Sequence, residues 1–418
     1  PGQKVSLSYG GVELGNTATA DKDGKFRTQF VLPASAVAGR YSLVASAANP
    51  PASLLVPLKI SPDVRLSGQN LFDVKVQTLV PGLYQAAYSP KSDSIYVTSA
   101  VGRPPVTRSE LIKVNAQTLA ITQRVTAPVA PPPPARPAGA GAPPANAPAA
   151  GSAPALPGLF AVYGVGVDDV NGNVWVTNTR QNTVAVYKQA DLSIVKQFEP
   201  GLVDHARDVL VDNQQGKAYS TPVGKPQVAV FDAKAVAFSK NIPIQSTLRG
   251  PNAKDFTPMS LALDEASSRL FVVSSGGEVA IVNTKTDTVE KVIAVDGVVS
   301  ASGVAYDAKS DRIFVAAQGS DNVVIVDAKT GKALHNVKVG GGTLNVAFDP
   351  ARSLAYVANR ASDTLTILDA NGKIVGNLDI GSFPNHVAVD GKGAAFAINK
   401  ARGANDTEGD RLSRVTPR

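Results

Sequence analysis

The chain has no cysteine, which excludes disulfides, thiolate metal centres and thiol nucleophiles. It has three histidines, one methionine and one tryptophan, so few side chains are available for metal ligation or general acid–base work. No apolar run reaches the length of a transmembrane helix. No segment longer than about ten residues repeats its apolar positions at the helical period. There is no GxSxG, no HExxH and no pair of carboxylates at a recognisable spacing. Gly340-Gly341-Gly342 lies between two strands rather than before a helix, so it is no phosphate cradle. These absences point away from an enzyme, and no cofactor is expected.

Seven short segments share a pattern. They are Ile95–Ser99, Val174–Asn178, Ala218–Pro222, Leu270–Ser274, Ile313–Ala317, Ala355–Asn359 and Ala395–Asn399. Each carries an aromatic residue at its second position and ends in a small or polar residue. Successive aromatics lie roughly 40–50 residues apart, the spacing of propeller blades. The one wider gap, between Tyr96 and Trp175, contains a proline-rich insert. In the repeats around Phe271, Phe314 and Tyr356, four short apolar runs are separated by Gly, Asn, Asp and Ser clusters, which reads as four antiparallel strands per repeat. A unit of this size cannot bury its own apolar face and must stack on its neighbours. The last repeat shows only three strands, whereas Phe72–Gln77 precedes the first repeat with no blade of its own. Pairing Phe72–Gln77 with Arg414-Val415 removes both free edges and closes a ring.

The first 60 or so residues differ. Val5–Tyr9, Phe26–Val31 and Tyr41–Ala45 alternate apolar and polar residues, and Asp21–Gly24 forms a turn. The fold class is therefore all-β: a small Ig-like β-sandwich over residues 1–62, a linker over 63–70, and a seven-bladed β-propeller over 71–418. Starting directly on a strand, Pro1–Val5 implies residues ahead of it. The tract 126–158 is rich in Pro, Ala and Gly and offers nothing to a core, so it reads as a surface insertion between blades that is dispensable for folding. Its sharper alternative is a polyproline docking arm.

Tyr96-Val97-Thr98-Ser99 and Val176-Thr177-Asn178 resemble the YVTN signature of bacterial surface and periplasmic β-propellers. Gly82–Ser89, Phe348–Ala358, Val114–Leu119 and Pro384–Ala388 extend the likeness to the YncE-like members of that family, over residues 70 to 418. The resemblance implies a seven-bladed ring, a periplasmic or cell-surface (secreted) location, and single-stranded DNA binding. It also implies expression under iron limitation beside a TonB-dependent outer-membrane receptor. The N-terminal domain and the proline-rich insert depart from the family pattern.

Propeller function sits on the loops that precede the first strand and join the second to the third, which share one face. Those loops supply Tyr84, Arg103, Phe160, Arg180, His205, Arg207, Arg360, His386, Lys400 and Arg402 as the candidate binding residues. Basic residues outnumber the acids Asp208, Asp321 and Asp363 there. The net charge of +7 is modest for the length, so this placement matters more than the total. Arginine and lysine beside aromatics suit a phosphate or carboxylate group, or stacked bases. His205 and His386 face the channel mouth and read as hydrogen-bonded loop histidines, with a shared metal as the alternative. Asp21–Gly24 lacks the downstream glutamate of a calcium loop, and Asn405–Asp410 reads as a solvated acidic turn. The leading expectation is a cell-envelope binding protein for an anionic ligand or an envelope protein partner. The alternatives are a single-stranded DNA binder and a propeller enzyme, a lyase or quinone-dependent dehydrogenase.

Overall fold

The seven repeat aromatics all lie on the second strand of a four-stranded antiparallel sheet, and none is more than 1% exposed. The computed structural model describes residues 1–102, 105–132, 158–250 and 253–418. Two compact units are present, Pro1–Asp63 and Val64–Arg418.

In the larger unit, each second-strand aromatic packs into the core shared with the next blade rather than into its own. Tyr96 of blade 1 lies among Val174, Val176 and Tyr187 of blade 2. Trp175 of blade 2 meets Phe231 of blade 3, with ring centroids 5.4 Å apart. Phe271 packs with Ile313 and Val315, and Tyr356 with Ala395 and Ala397. Phe396 of blade 7 returns to Ile95, Val97 and Ile112 of blade 1. One large ring per repeat is therefore the wedge that joins neighbouring blades, and this explains both its size and its spacing.

The innermost strands are Leu83–Ser89, Val162–Asp168, Ala206–Asp212, Pro258–Asp264, Ala301–Asp307, Thr343–Asp349 and Pro384–Val389. They touch in that order, and the seventh touches the first. Phe72–Thr78 is the outermost strand of blade 7. It pairs antiparallel with Arg411–Pro417, and Lys75 faces Arg414 while Val74 faces Val415, which is the expected closure. Phe72 is buried beside Leu378, Ile380 and Val415. Asp410 adds a tie across the seam by accepting the Gly82 amide at 2.7 Å.

In the smaller unit the strands Val12–Glu13, Lys4–Tyr9, Gly39–Ala48 and Pro51–Ile60 pair in that order, and Ala18–Thr19 pairs with the start of Lys4–Tyr9. Val5, Leu7, Leu43 and Ala45 form its core. The expected strand Phe26–Val31 does not form. Both edges of Gly39–Ala48 are already taken, by Lys4–Tyr9 and Pro51–Ile60. Phe30 instead packs its ring onto the core from a segment outside the ladder. Among the described residues this unit is one sheet, and a second, immunoglobulin-type sheet is not seen. The turn at Asp21 is held by its own carboxylate, which accepts the Asp23 and Lys25 amides at 2.9 Å.

Most of the proline-rich tract, residues 133–157, lies outside the described residues, as does Arg103. The flanks of the tract belong to the ring. Ala127 and Ala130 are buried in the core between blades 1 and 2, and Ala130 bonds to the Gly158 carbonyl at 2.8 Å.

Candidate functional site: a cationic pocket on the propeller axis

All seven innermost strands shift register against their second strands near their first residues, so each begins with a bulge. A bulge leaves residues outside the ladder and re-aims their side chains. The re-aimed residues include Tyr84 and Gln85, Tyr163, Arg207, Ser260, Leu344 and Asn385, and beside them stand Asn345 and His386, the first paired residues after the bulges of blades 6 and 7. Together with His205 from the loop before blade 3, Thr179 and Arg180 from blade 2, and Arg360 from blade 6, they enclose a cavity of about 240 Å³.

Arg207 reaches across the channel and donates to the Ser302 hydroxyl at 3.1 Å. Its Nε is buried with no partner. Burial and the neighbouring Arg360 both work against its charge, and only Asp208 favours it. Asp208 is no free counter-ion, because its two oxygens accept the Val209 and Leu261 amides at 3.0 Å. Burial also pushes its carboxyl above the ordinary range. Arg360 donates to Asn385 at 2.9 Å and lies over the Phe383 ring at 5.1 Å. Arg402 also lies over Phe383, 4.5 Å from the ring centre, and is paired with Asp363. Arg402 thus braces the rim, outside the cavity lining.

His386 accepts the Ala86 amide through Nδ1 at 3.4 Å, a long bond that requires a neutral imidazole. Burial, reinforced by Arg207, pushes its pKa down to about 3. Burial and Arg180 lower that of His205. Among the described residues no three His, Cys, Asp or Glu side chains gather to hold a metal.

Tyr84 and Tyr163 stack with centroids 3.9 Å apart. The Lys400 ammonium sits 3.7 Å from the Tyr84 ring centre. Two groups this close to one ring centre must occupy opposite faces, so neither face of Tyr84 is open to a base. Burial pushes Lys400 down to about 8, and Arg360 and Arg180 add to the effect. Burial also raises Tyr163 to about 12, and its hydroxyl accepts from Arg180 Nε at 3.2 Å. Phe160 is 4% exposed and belongs to the core between blades 1 and 2, so it meets no ligand. Asp406, in the acidic loop, accepts from Ser382, from the Glu408 amide and from the Arg402 amide.

Six of the sequence candidates, Tyr84, Arg180, His205, Arg207, Arg360 and His386, therefore line one cavity. Tyr163 and Gln85 line it too and were missed. The repeat itself marks them: Tyr163 occupies in blade 2 the place of Tyr84 in blade 1.

Fold and site together define a seven-bladed β-propeller with an arginine-lined axial pocket. No family model matches the chain. It is similar to the YncE protein of Salmonella typhimurium, 21% identical over 330 residues that cover 76% of this chain and 82% of that one. YncE of Salmonella typhi is 20% identical over the same shares. The structure aligns with Kuenenia stuttgartiensis hydrazine synthase at a TM-score of 0.58 and 16% identity, covering 77% of this chain and 94% of that one. At that identity the likeness shows the fold alone.

Proposed function

We propose that this is a non-enzymatic binding protein of the cell envelope, periplasmic or surface-exposed, whose axial pocket holds a small oxyanion. The observation that carries the reading is the lining. Three arginines and two histidines face the cavity and, among the described residues, no carboxylate does. Arginines without an acidic partner in a confined space repel one another, and a bound phosphate or carboxylate relieves that repulsion while accepting their forked donors. The cavity is smaller than the about 300–1,000 Å³ of drug-sized sites, which favours a compact ligand. The location is carried by the similarity to YncE-like propellers. The closed faces of Tyr84 and the burial of Phe160 count against the single-stranded DNA reading, which needs open aromatic platforms.

The test is a calorimetric titration of the protein with sulfate, phosphate and citrate. Arg180→Ala with Arg360→Ala should weaken binding by about 1–3 kcal/mol, the range for charge-assisted contacts. Lys285→Ala with Lys329→Ala, in exposed turns of the third and fourth strands, is the control and should change nothing. Equal losses in both pairs would reveal a diffuse effect of the +7 charge. No binding of any of the three anions would overturn the proposal.

A further inference from the structure

The threonine in the second strands of blades 1, 2 and 3 makes the same two contacts each time. Its hydroxyl accepts the amide of its own blade's bulge: Gln85 to Thr98 at 3.1 Å, Gly164 to Thr177 at 2.7 Å, Asp208 to Thr221 at 3.1 Å. It then donates to a bulge carbonyl in the next blade. Thr98 bonds to Tyr163, Thr177 to Arg207 at 3.3 Å, and Thr221 to Met259 at 2.8 Å. All three threonines are fully buried.

Blade construction does not require this residue. Blade 4 makes the same two-residue bulge, from Pro258 to Leu261, with Val273 at the equivalent place. Blades 5, 6 and 7 have Ala316, Ala358 and Ile398 there. The threonine occurs where the bulges carry Tyr84, Tyr163 and Arg207, the stacked pair and the deepest cation of the pocket. At Gly164 the two blades approach closely. A Cβ there would lie 2.6 Å from the Arg207 carbonyl and 2.8 Å from the Thr177 hydroxyl, so only glycine lets blade 2 approach blade 3 this closely.

We infer that Thr177 is a positioning residue of the axial pocket: its hydroxyl fixes the backbone of Arg207, and with it the direction in which the guanidinium enters the channel. The inference rests on the reading of the pocket as an anion site, and it specifies what holds that site's central residue in place. A bulged residue lacks the ladder bonds that fix ordinary strand residues, so one hydrogen bond from a neighbouring blade selects its orientation.

The test compares Thr177→Val, which keeps the shape and removes the hydroxyl, with Thr177→Ser, which keeps the hydroxyl. Two readouts are taken on the full chain: the Arg207 Nε–H resonance, assigned by its loss in Arg207→Lys, and the affinity for sulfate. Thr177→Val should shift the Arg207 resonance and weaken sulfate binding about tenfold, the loss expected when a hydrogen bond that fixes a charged group is removed. Thr177→Ser should restore both. A variant Thr177→Val that melts earlier but keeps the wild-type Arg207 resonance would overturn the inference and make the threonine purely structural. Wild-type affinity in Thr177→Val would overturn it too. If the wild-type protein binds no sulfate, the anion-site proposal fails, and the Arg207 resonance in Thr177→Val and Thr177→Ser still decides whether Thr177 positions it.

Discussion

Tyr84 and Tyr163 hold equivalent places in adjacent blades and lie on one another, ring centroids 3.9 Å apart and planes 25° from parallel. Each is the second residue of its innermost strand. With Lys400 across the far face of Tyr84, the pair forms a wall of the pocket rather than a surface on which a base can rest.

An oligonucleotide should therefore bind, if at all, through its phosphates. A thymidine octamer and an abasic octamer of equal charge should show equal affinity and equal salt dependence. Base stacking on an aromatic is worth about 1–3 kcal/mol per base, so tighter binding of the thymidine strand by that margin would reopen the platform reading.

Anion binding should weaken as pH rises through about 8, where Lys400 loses its charge. Sulfate is the suitable probe because its own charge is constant over this range. Tyr163 beside it, near 12, does not titrate in this range. His386, near 3, is neutral from pH 6 upward. Stability should move the other way. The pKa of Lys400 is depressed in the fold, so the unfolded chain binds more protons between about 8 and its ordinary value near 10.5, and stability from this group rises with pH in that window. Lys400→Met should flatten both profiles. Binding and chemical denaturation measured from pH 6.5 to 9.5 check this.

Phe72→Ala should lower stability by about 3–5 kcal/mol, the usual cost of removing a buried phenylalanine ring. The loss would be felt at the ring closure, because Phe72 packs against Val415, Leu378 and Ile380. Lys75→Ala, on the same strand but exposed, should stay within about 0.5 kcal/mol. Equal denaturation midpoints for Phe72→Ala and the wild type would mean that the seam does not limit stability.

Replacing residues 133–157 with a short Gly/Ser linker should leave the melting temperature within a few degrees, since loop-closure entropy changes slowly with length. A replacement of the whole span 126–158 should cost more, because it also removes buried Ala127 and Ala130. Differential scanning calorimetry of the two deletions separates the outcomes.

The ring was legible in the sequence because one large residue per repeat is a strong periodic signal, and the orphan strand at Phe72 had only one place to pair. The pocket was half legible. His205 and His386 could be placed at the channel mouth, and Arg207 on the same loop face, because their position in the repeat is fixed. What repeat position alone did not give was side-chain direction. Phe160 turns into the core, Arg402 turns to Asp363, and Asp208 spends its carboxylate on backbone amides. Tyr163 was overlooked although it matches Tyr84 in phase. Phe26–Val31 had the alternation of a strand, but both edges of Gly39–Ala48, the central strand of the unit, were taken, and Phe30 serves the core from outside the ladder.

The closure of blade 7 also sets an order of events. Asp73 and Arg418, joined by an exposed ion pair across the seam, stand 345 residues apart in the chain. A ribosome releases Phe72–Thr78 long before it makes Arg411–Pro417, so throughout synthesis that strand has no mate and blade 1 has no seventh neighbour. The open array must survive with two unpaired edges until the final strand arrives, and every polar or charged residue along Phe72–Thr78 then serves as protection against wrong partners in that interval.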